Sequence, residues 1–247
     1  MKNLEGKVSV IMPAYNEADH IIGSLKETMR TFNEFGCDYE IVVIDDGSKD
    51  GTYEKIKEFA ADHTNICAKR NRTNFGKGRA LKKAFRYTLG DYIVFLDADL
   101  DLHPQQAKKL FDVLRKKEAD VVIGSKRHPD SEVNYPFHRK IVSNGYYYII
   151  RILFGLPTRD TQTGIKLFKR KVLKDTFPRV LIKRYAFDLE LLVNAHHLGY
   201  KIVEAPIKLH FQREFGRIRI KDIWHAWWDT MAVFYRMYII RYYDKIK

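Results

Sequence analysis

The chain has 247 residues, 45% of them hydrophobic, enough to bury a core in one domain or one domain with an appendage, so a disordered chain is excluded. A formal charge of +13 implies an anionic partner: nucleic acid, an anionic membrane surface or a phosphorylated substrate. Cys37 and Cys67 are the only cysteines, which excludes a disulfide framework or thiolate metal site and suits a reducing cytoplasm.

Lys7 to Met12 reads as a first strand, and its apolar run stops at Pro13, too short for a signal peptide or a membrane span. Ala18 to Phe35 then has helical spacing. Tyr39 to Ile44 is a second strand ending in Asp45-Asp46, followed by a turn and a helix from Thr52 to Ala61. A strand at Ile66 to Ala68, a Gly-punctuated loop at Asn71 to Gly78, and a helix to Thr88 come next. The strand Tyr92 to Leu96, a helix from Pro104 to Lys117 and a strand at Asp120 to Ile123 complete the series. Strands alternating with helices predict βαβ units and a mostly parallel sheet.

Tyr92 to Leu96 runs straight into Asp97, Asp99 and Asp101. A continuous apolar run is a strand buried on both faces, so the acids belong at its C-terminal lip, where parallel sheets bind ligands. Alternation along an extended chain would turn all three to one side, where they could converge on one cation. Oxygen-only ligands favour Mg2+ or Mn2+, ions that bridge carboxylates to a diphosphate. The lip is therefore a candidate nucleotide-diphosphate site; an isolated Asp-x-Asp would otherwise be only a solvated turn.

After Gly124 the alternation weakens, as where a nucleotide half gives way to an acceptor half. Ser125 to Pro136 is a polar loop, Arg139 to Phe154 an aromatic-rich helix, and Arg159 to Lys169 an extended segment centred on Gly164. Ala186 to Leu198 reads as a helix and Lys201 to Leu209 as a strand. From Gly216 to Lys247 an aromatic stripe that includes Trp224, Trp227, Trp228, Tyr235, Tyr238 and Tyr242 is interrupted by cations. It is either an interfacial membrane helix or a helix packed on the body.

Several motifs fall in one order: Met12-Pro13-Ala14-Tyr15-Asn16-Glu17, Val43-Ile44-Asp45-Asp46-Gly47-Ser48, Asn74-Phe75-Gly76-Lys77-Gly78 and Asp97-Ala98-Asp99. Together they resemble glycosyltransferase family 2, with its GT-A fold. Arg159 to Phe168 and Arg184 to Leu192 resemble the branch that moves sugar to dolichyl or another polyprenyl phosphate, in wording nearest the dolichyl-phosphate glucose synthases. The resemblance implies a catalytic domain over 1–215, with a nucleotide half at about 7–124 and an acceptor half at about 125–215; the tail at 216–247 lies outside it, and its aromatic and basic stripe makes it a candidate membrane-interface anchor. It further implies an α/β fold, a mostly parallel central sheet flanked by helices.

Carried over by position, Pro13, Tyr15 and Glu17 would hold the nucleoside, with Asp45 and Asp46 reading base and ribose. Gly76 and Lys77 would approach the diphosphate, and Asp97, Asp99 and Asp101 would bind Mg2+ or Mn2+. Lys126, Arg127, Arg139 and Arg213 are candidates to hold the acceptor phosphate, Asp160 and Gln162 to touch sugar or acceptor. The family's Gly-Ser-Arg is Gly-Ser-Lys-Arg here, so either of two cations could take that role. Asp188 would be the base for a hydroxyl acceptor, whereas a lipid phosphate needs none.

The expected enzyme is a metal-dependent, inverting hexosyltransferase on the cytoplasmic face of a membrane, with a nucleotide sugar as donor and a polyprenyl phosphate as acceptor. UDP-glucose is the first donor expected, ahead of GDP-mannose and UDP-N-acetylglucosamine. A glycan hydroxyl acceptor and a catalytically silent nucleotide-sugar sensor are the alternatives. An Asp-x-Asp phosphatase fits poorly, because its strand should come first in the chain. No nucleic-acid-binding motif accompanies the charge.

Overall fold

The computed structural model describes residues 4–133, 137–184, 186–209 and 220–246, with the side chains of 137–144 and 220–223 left aside. The first half alternates as the sequence suggests. It runs β1 (Val8–Ala14), α1 (Ile21–Phe35), β2 (Tyr39–Asp45), α2 (Thr52–Ala61), β3 (Ile66–Arg70), α3 (Lys77–Phe85) and β4 (Tyr92–Phe95). A 3-10 turn at Pro104–Gln106 leads into α4 (Ala107–Lys116) and then β5 (Val121–Ser125). The second half comprises β6 (Glu132–Val133), α5 (Phe137–Phe154), β7 (Lys166–Lys169), α6 (Arg170–Thr176), α7 (Phe187–His197), β8 (Ile202–Pro206), β9 (Lys208–Leu209) and α8 (Ile220–Phe234).

Seven strands form one sheet in the order β3-β2-β1-β4-β7-β5-β8. All its pairings are parallel except those of β7, which runs antiparallel to both β4 and β5. Both faces are covered, and the pleat sorts the side chains. In β1, Val8, Val10 and Met12 join one core layer with Leu25 and Phe32 of α1 and Phe111 of α4, whereas Ile11 joins the other with Leu81 of α3 and Phe187 of α7. β6 and β9 pair as a separate two-stranded ribbon.

Several boundaries differ from the sequence reading for local reasons. α1 starts at Ile21 instead of Ala18, because the amides of His20 and Ile21 both turn back to the Glu17 carbonyl. Only Lys166–Lys169 of the expected 159–169 extended segment is a strand. The rest is turns organised by Asp160, whose carboxylate accepts from the Gln162 amide at 3.1 Å and the Thr163 hydroxyl at 2.6 Å. The strand expected over 201–209 breaks between Pro206 and Lys208. α6 was not anticipated; seven residues carry too short a pattern to stand out.

α7 is buried along nearly its whole length, so its two acids need internal partners. Asp188 pairs with Lys166 at 2.7 Å, and Glu190 accepts from Arg236 at 2.9 Å and the Tyr243 hydroxyl at 2.6 Å. The aromatic tail is not one continuous helix: α8 gives way to a π turn at Tyr235–Ile239 and a 3-10 turn at Tyr243–Lys245. Part of its stripe is core and part is exposed. Val233, Met237 and Tyr243 pack into the core, while Trp224 and Trp228 remain 59% and 58% exposed. Among the described residues no helix is long and apolar enough to cross a membrane.

The ring of Phe168 in β7 lies 4.9 Å from that of Phe95 in β4, and both are buried. Phe168→Ala should cost about 3–5 kcal/mol by removing buried area and leaving a cavity. A fall in the urea midpoint at constant slope checks it; a loss under about 1 kcal/mol would mean that this part of the sheet is not cooperative with the rest.

Candidate active site

The sheet delivers its acids to one edge. β4 ends at Phe95, the Leu96 amide still reaches the Ile11 carbonyl at 3.1 Å, and the chain then turns through Leu100 at a positive φ of 54°. That turn corrects the expectation of three aspartates aligned by strand alternation. The backbone is no longer extended, and the Asp101 amide donates to Asp99 Oδ1 at 3.2 Å. Among the described residues, no three acid, histidine or cysteine side chains converge as a metal cage.

Asp97 and Asp99 instead form a wall between two clefts. A cleft of about 250 Å3 on one side is lined by Pro13, Tyr15, Glu17, Asp46, Gly76 and Lys77. One of about 140 Å3 on the other side has Asp101, Lys126, Thr163 and Gly164. Gly164 packs directly against the wall: a Cβ there would fall 2.2 Å from Asp97 Oδ2, so a larger residue would have to displace that carboxylate.

Charge in the wall is unbalanced. Burial, then the neighbouring Asp97, push the Asp99 carboxyl up to about 6. Lys77 is the first residue of α3, and its Nζ lies 2.5 Å from Asp97 Oδ1. Desolvation works against its ammonium, yet Asp97, Asp188 and Asp99 together hold its pKa above the ordinary lysine value. One lysine among these acids leaves room for further positive charge. Two carboxylates with oxygen-only donors suit a hard divalent cation that takes its other ligands from water and phosphate.

The remaining donor-side residues divide into those that face the cleft and those that shape it. Asp45 is fully buried, accepts from the Ser48 amide at 3.1 Å and pairs with Arg70 at 3.1 Å. It therefore sits behind the site, holding the turn after β2, instead of meeting a base or ribose. Asp46 reaches the cleft edge but accepts from the amides of Phe75 at 3.1 Å and Gly76 at 2.8 Å, and from Asn71 Nδ2 at 2.7 Å. Its carboxylate ties β2 to the Gly76 loop. Gly76 has φ +98°, and a Cβ there would meet the Lys183 carbonyl at 2.6 Å, so only glycine fits. Tyr15 is half-exposed over the cleft, a flat surface on which a base can stack.

On the opposite side Asp160 is buried and accepts from the Lys126 amide at 3.1 Å, with Lys126 Nζ at 3.8 Å. Asp160 thus orders the loop, while Gln162 beside it is exposed. Lys126 lines the smaller cleft with Asp97, Asp99 and Asp101, whereas the Arg127 guanidinium lies 5.2 Å from the Tyr147 ring. Arg139 lies on α5 in the stretch without described side chains, and Arg213 falls outside the described residues.

Lys166 was missed by sequence reasoning. It is 1% exposed on β7, with Nζ 2.7 Å from Asp188 Oδ1 and 2.6 Å from the Thr163 carbonyl. The available signal was a lysine inside Gly164-Ile165-Lys166-Leu167-Phe168, where apolar neighbours on a central strand leave a cation needing a buried partner.

The family model for glycosyl transferase family 2 matches residues 9–177. A glycosyltransferase of Haloferax volcanii, AglD, is 32% identical over 203 residues, covering 81% of this chain and 32% of its own. A dolichyl-phosphate beta-glucosyltransferase of Dictyostelium discoideum is 32% identical over 213 residues, covering 81% of this chain and 65% of its own. The chain thus spans about a third of the first relative and just under two thirds of the second. Among solved structures, glucosyl-3-phosphoglycerate synthase from Mycobacterium tuberculosis in complex with Mn2+, UDP and phosphoglyceric acid superposes with a TM-score of 0.67 at 20% identity. It covers 95% of this chain and 79% of its own, a shared fold. With a family match over most of its length and a mainly parallel GT-A sheet ending in paired aspartates, the chain belongs to glycosyltransferase family 2.

Proposed function

We propose that the protein transfers a hexose, glucose before other sugars, from a nucleoside diphosphate to dolichyl or another polyprenyl phosphate, with inversion at the anomeric carbon. The observation that carries this reading is the Asp97–Asp99 wall with a cleft on either side, which suits a donor diphosphate and an acceptor meeting across it. The similarity to a dolichyl-phosphate glucosyltransferase supports the lipid acceptor and glucose as the sugar, with UDP-glucose the first donor to test.

In the proposed reaction the bond between the anomeric carbon and the leaving phosphate oxygen breaks, and its electron pair stays on the nucleoside diphosphate. An acceptor phosphate oxygen forms the new bond from the opposite face. Asp97 and Asp99 would hold Mg2+ or Mn2+, which supplies Lewis-acid stabilisation of the leaving diphosphate. Lys77 adds positive charge where negative charge grows, and the Gly76 loop brings backbone close to the phosphates. Tyr15, Pro13 and Glu17 line the donor cleft in reach of a nucleoside.

Lys126, on the acceptor side, offsets the repulsion between two anions brought together. An acceptor phosphate is ionised at pH 7 and needs no base. Asp188 Oδ1 is already committed to Lys166, which supports a positioning role for Asp188 and the phosphate acceptor over a glycan hydroxyl. The exposed face of α8, with Trp224 and Trp228, is suited to the bilayer interface where a polyprenyl phosphate resides.

Incubation with Mn2+, labelled sugar nucleotides and dolichyl phosphate should move label into the organic phase, with UDP-glucose the best donor. Transfer only to a soluble glycan would replace the lipid acceptor. Asp99→Ala and chelation by EDTA should each lower turnover by about 100-fold or more, with Mn2+ restoring only the chelated wild type; undiminished turnover in either would remove the metal from the mechanism. Trp224→Ser with Trp228→Ser should shift the protein from sedimenting vesicles to the supernatant at unchanged thermal stability. Unchanged partitioning would dismiss the aromatic face as a membrane contact.

A further inference from the structure

One carboxylate ties the C-terminal turns to the donor cleft. Glu190 is fully buried in the first turn of α7. Its Oε1 accepts from Arg236 Nη2 at 2.9 Å and the Tyr243 hydroxyl at 2.6 Å, and its Oε2 from the amides of Leu181 at 2.8 Å and Ile182 at 2.7 Å. The next residue, Lys183, presents its carbonyl to the Gly78 amide at 3.0 Å, and that same carbonyl abuts Gly76. Just before the pair, the Val180 carbonyl accepts from Lys82 Nζ of α3 at 3.0 Å. Lys77 lies between the two glycines.

We infer that Glu190 is a positioning residue for the donor diphosphate: by tying residues 181–182 to Arg236 and Tyr243, it sets the Gly76–Gly78 backbone and so the place of the Lys77 ammonium beside Asp97. The inference rests on the donor reading above. A buried carboxylate is a poor choice if the task is only to join helices, because apolar side chains of the same volume do that without a desolvation cost. Its two oxygens do what no apolar group can, holding a loop and a tail segment at fixed directions from one rigid plane. Phe187, one turn earlier on α7, packs against Gly78, so helix and loop bear on the same glycine. All of Glu190, Arg236 and Tyr243 lie beyond the stretch matched by the family model, residues 9–177.

Two readouts test this on the full chain with Glu190→Gln and the milder Tyr243→Phe. In ligand-free protein, amide exchange in the peptide spanning 76–80 should accelerate about tenfold in Glu190→Gln and about threefold in Tyr243→Phe, with β1 and β2 unchanged. In sugar transfer, kcat should fall about tenfold for Glu190→Gln in the Lys77 background and less than about twofold in a Lys77→Met background, because the effect acts through that lysine. A kcat loss of equal size in both backgrounds, or unchanged exchange at 76–80, would overturn the inference even with wild-type transfer intact. Accelerated exchange in a protein that transfers no sugar from any donor would remove the functional reading, while the hold of Glu190 on the loop would stand. If Glu190→Gln fails to fold, Tyr243→Phe decides by the same cycle.

Discussion

Two carboxylates side by side at the end of a buried strand cannot both stay ionised without positive charge close by. Asp97 and Asp99 meet that condition only in part: Lys77 sits 2.5 Å from the first, and the second is pushed up to about 6. Much of the neighbouring structure can be understood as supply to this spot. α3 begins at Lys77, so the first helical turn places an ammonium there, and the Asp46 carboxylate fixes the loop that precedes it. β7 brings Gly164 against Asp97 with no side chain in the way.

The acids of this protein therefore do two different jobs, and exposure separates them. Asp45, Asp160 and Glu190 are buried and satisfied by amides or cations, so they shape loops. Asp97 and Asp99 face the clefts. In the sequence Asp45 and Asp97 look alike, each the first acid after an apolar strand. Which is which depends on where the backbone amides of neighbouring loops end up, and those loops are remote in the chain: Asp46 holds Gly76, and Asp160 holds Lys126.

The aromatic tail shows a similar division. Its stripe contains both a face that completes the core, through Val233 and Met237 against α5 and α7, and a face that leaves Trp224 and Trp228 in solvent. Periodicity alone cannot assign the two, because a Trp-rich stripe suits a core and a bilayer surface equally. The Arg236–Glu190 pair breaks the symmetry, since burying that charged pair orients the tail on the body.

The alternating first half and the lip position of Asp97 and Asp99 were determined by the sequence itself. Both follow from local rules: side-chain periodicity separates strands from helices, and a buried strand must shed charge at its end. Tertiary structure decided the rest. β7 runs antiparallel between β4 and β5, so the residues before it, Asp160 to Gly164, arrive at the same lip as the β4 aspartates, and Lys166 is buried against Asp188. Strand direction leaves no mark on a four-residue strand such as Lys166–Lys169, because alternation of side chains is the same read either way; only the packing of the whole sheet selects it.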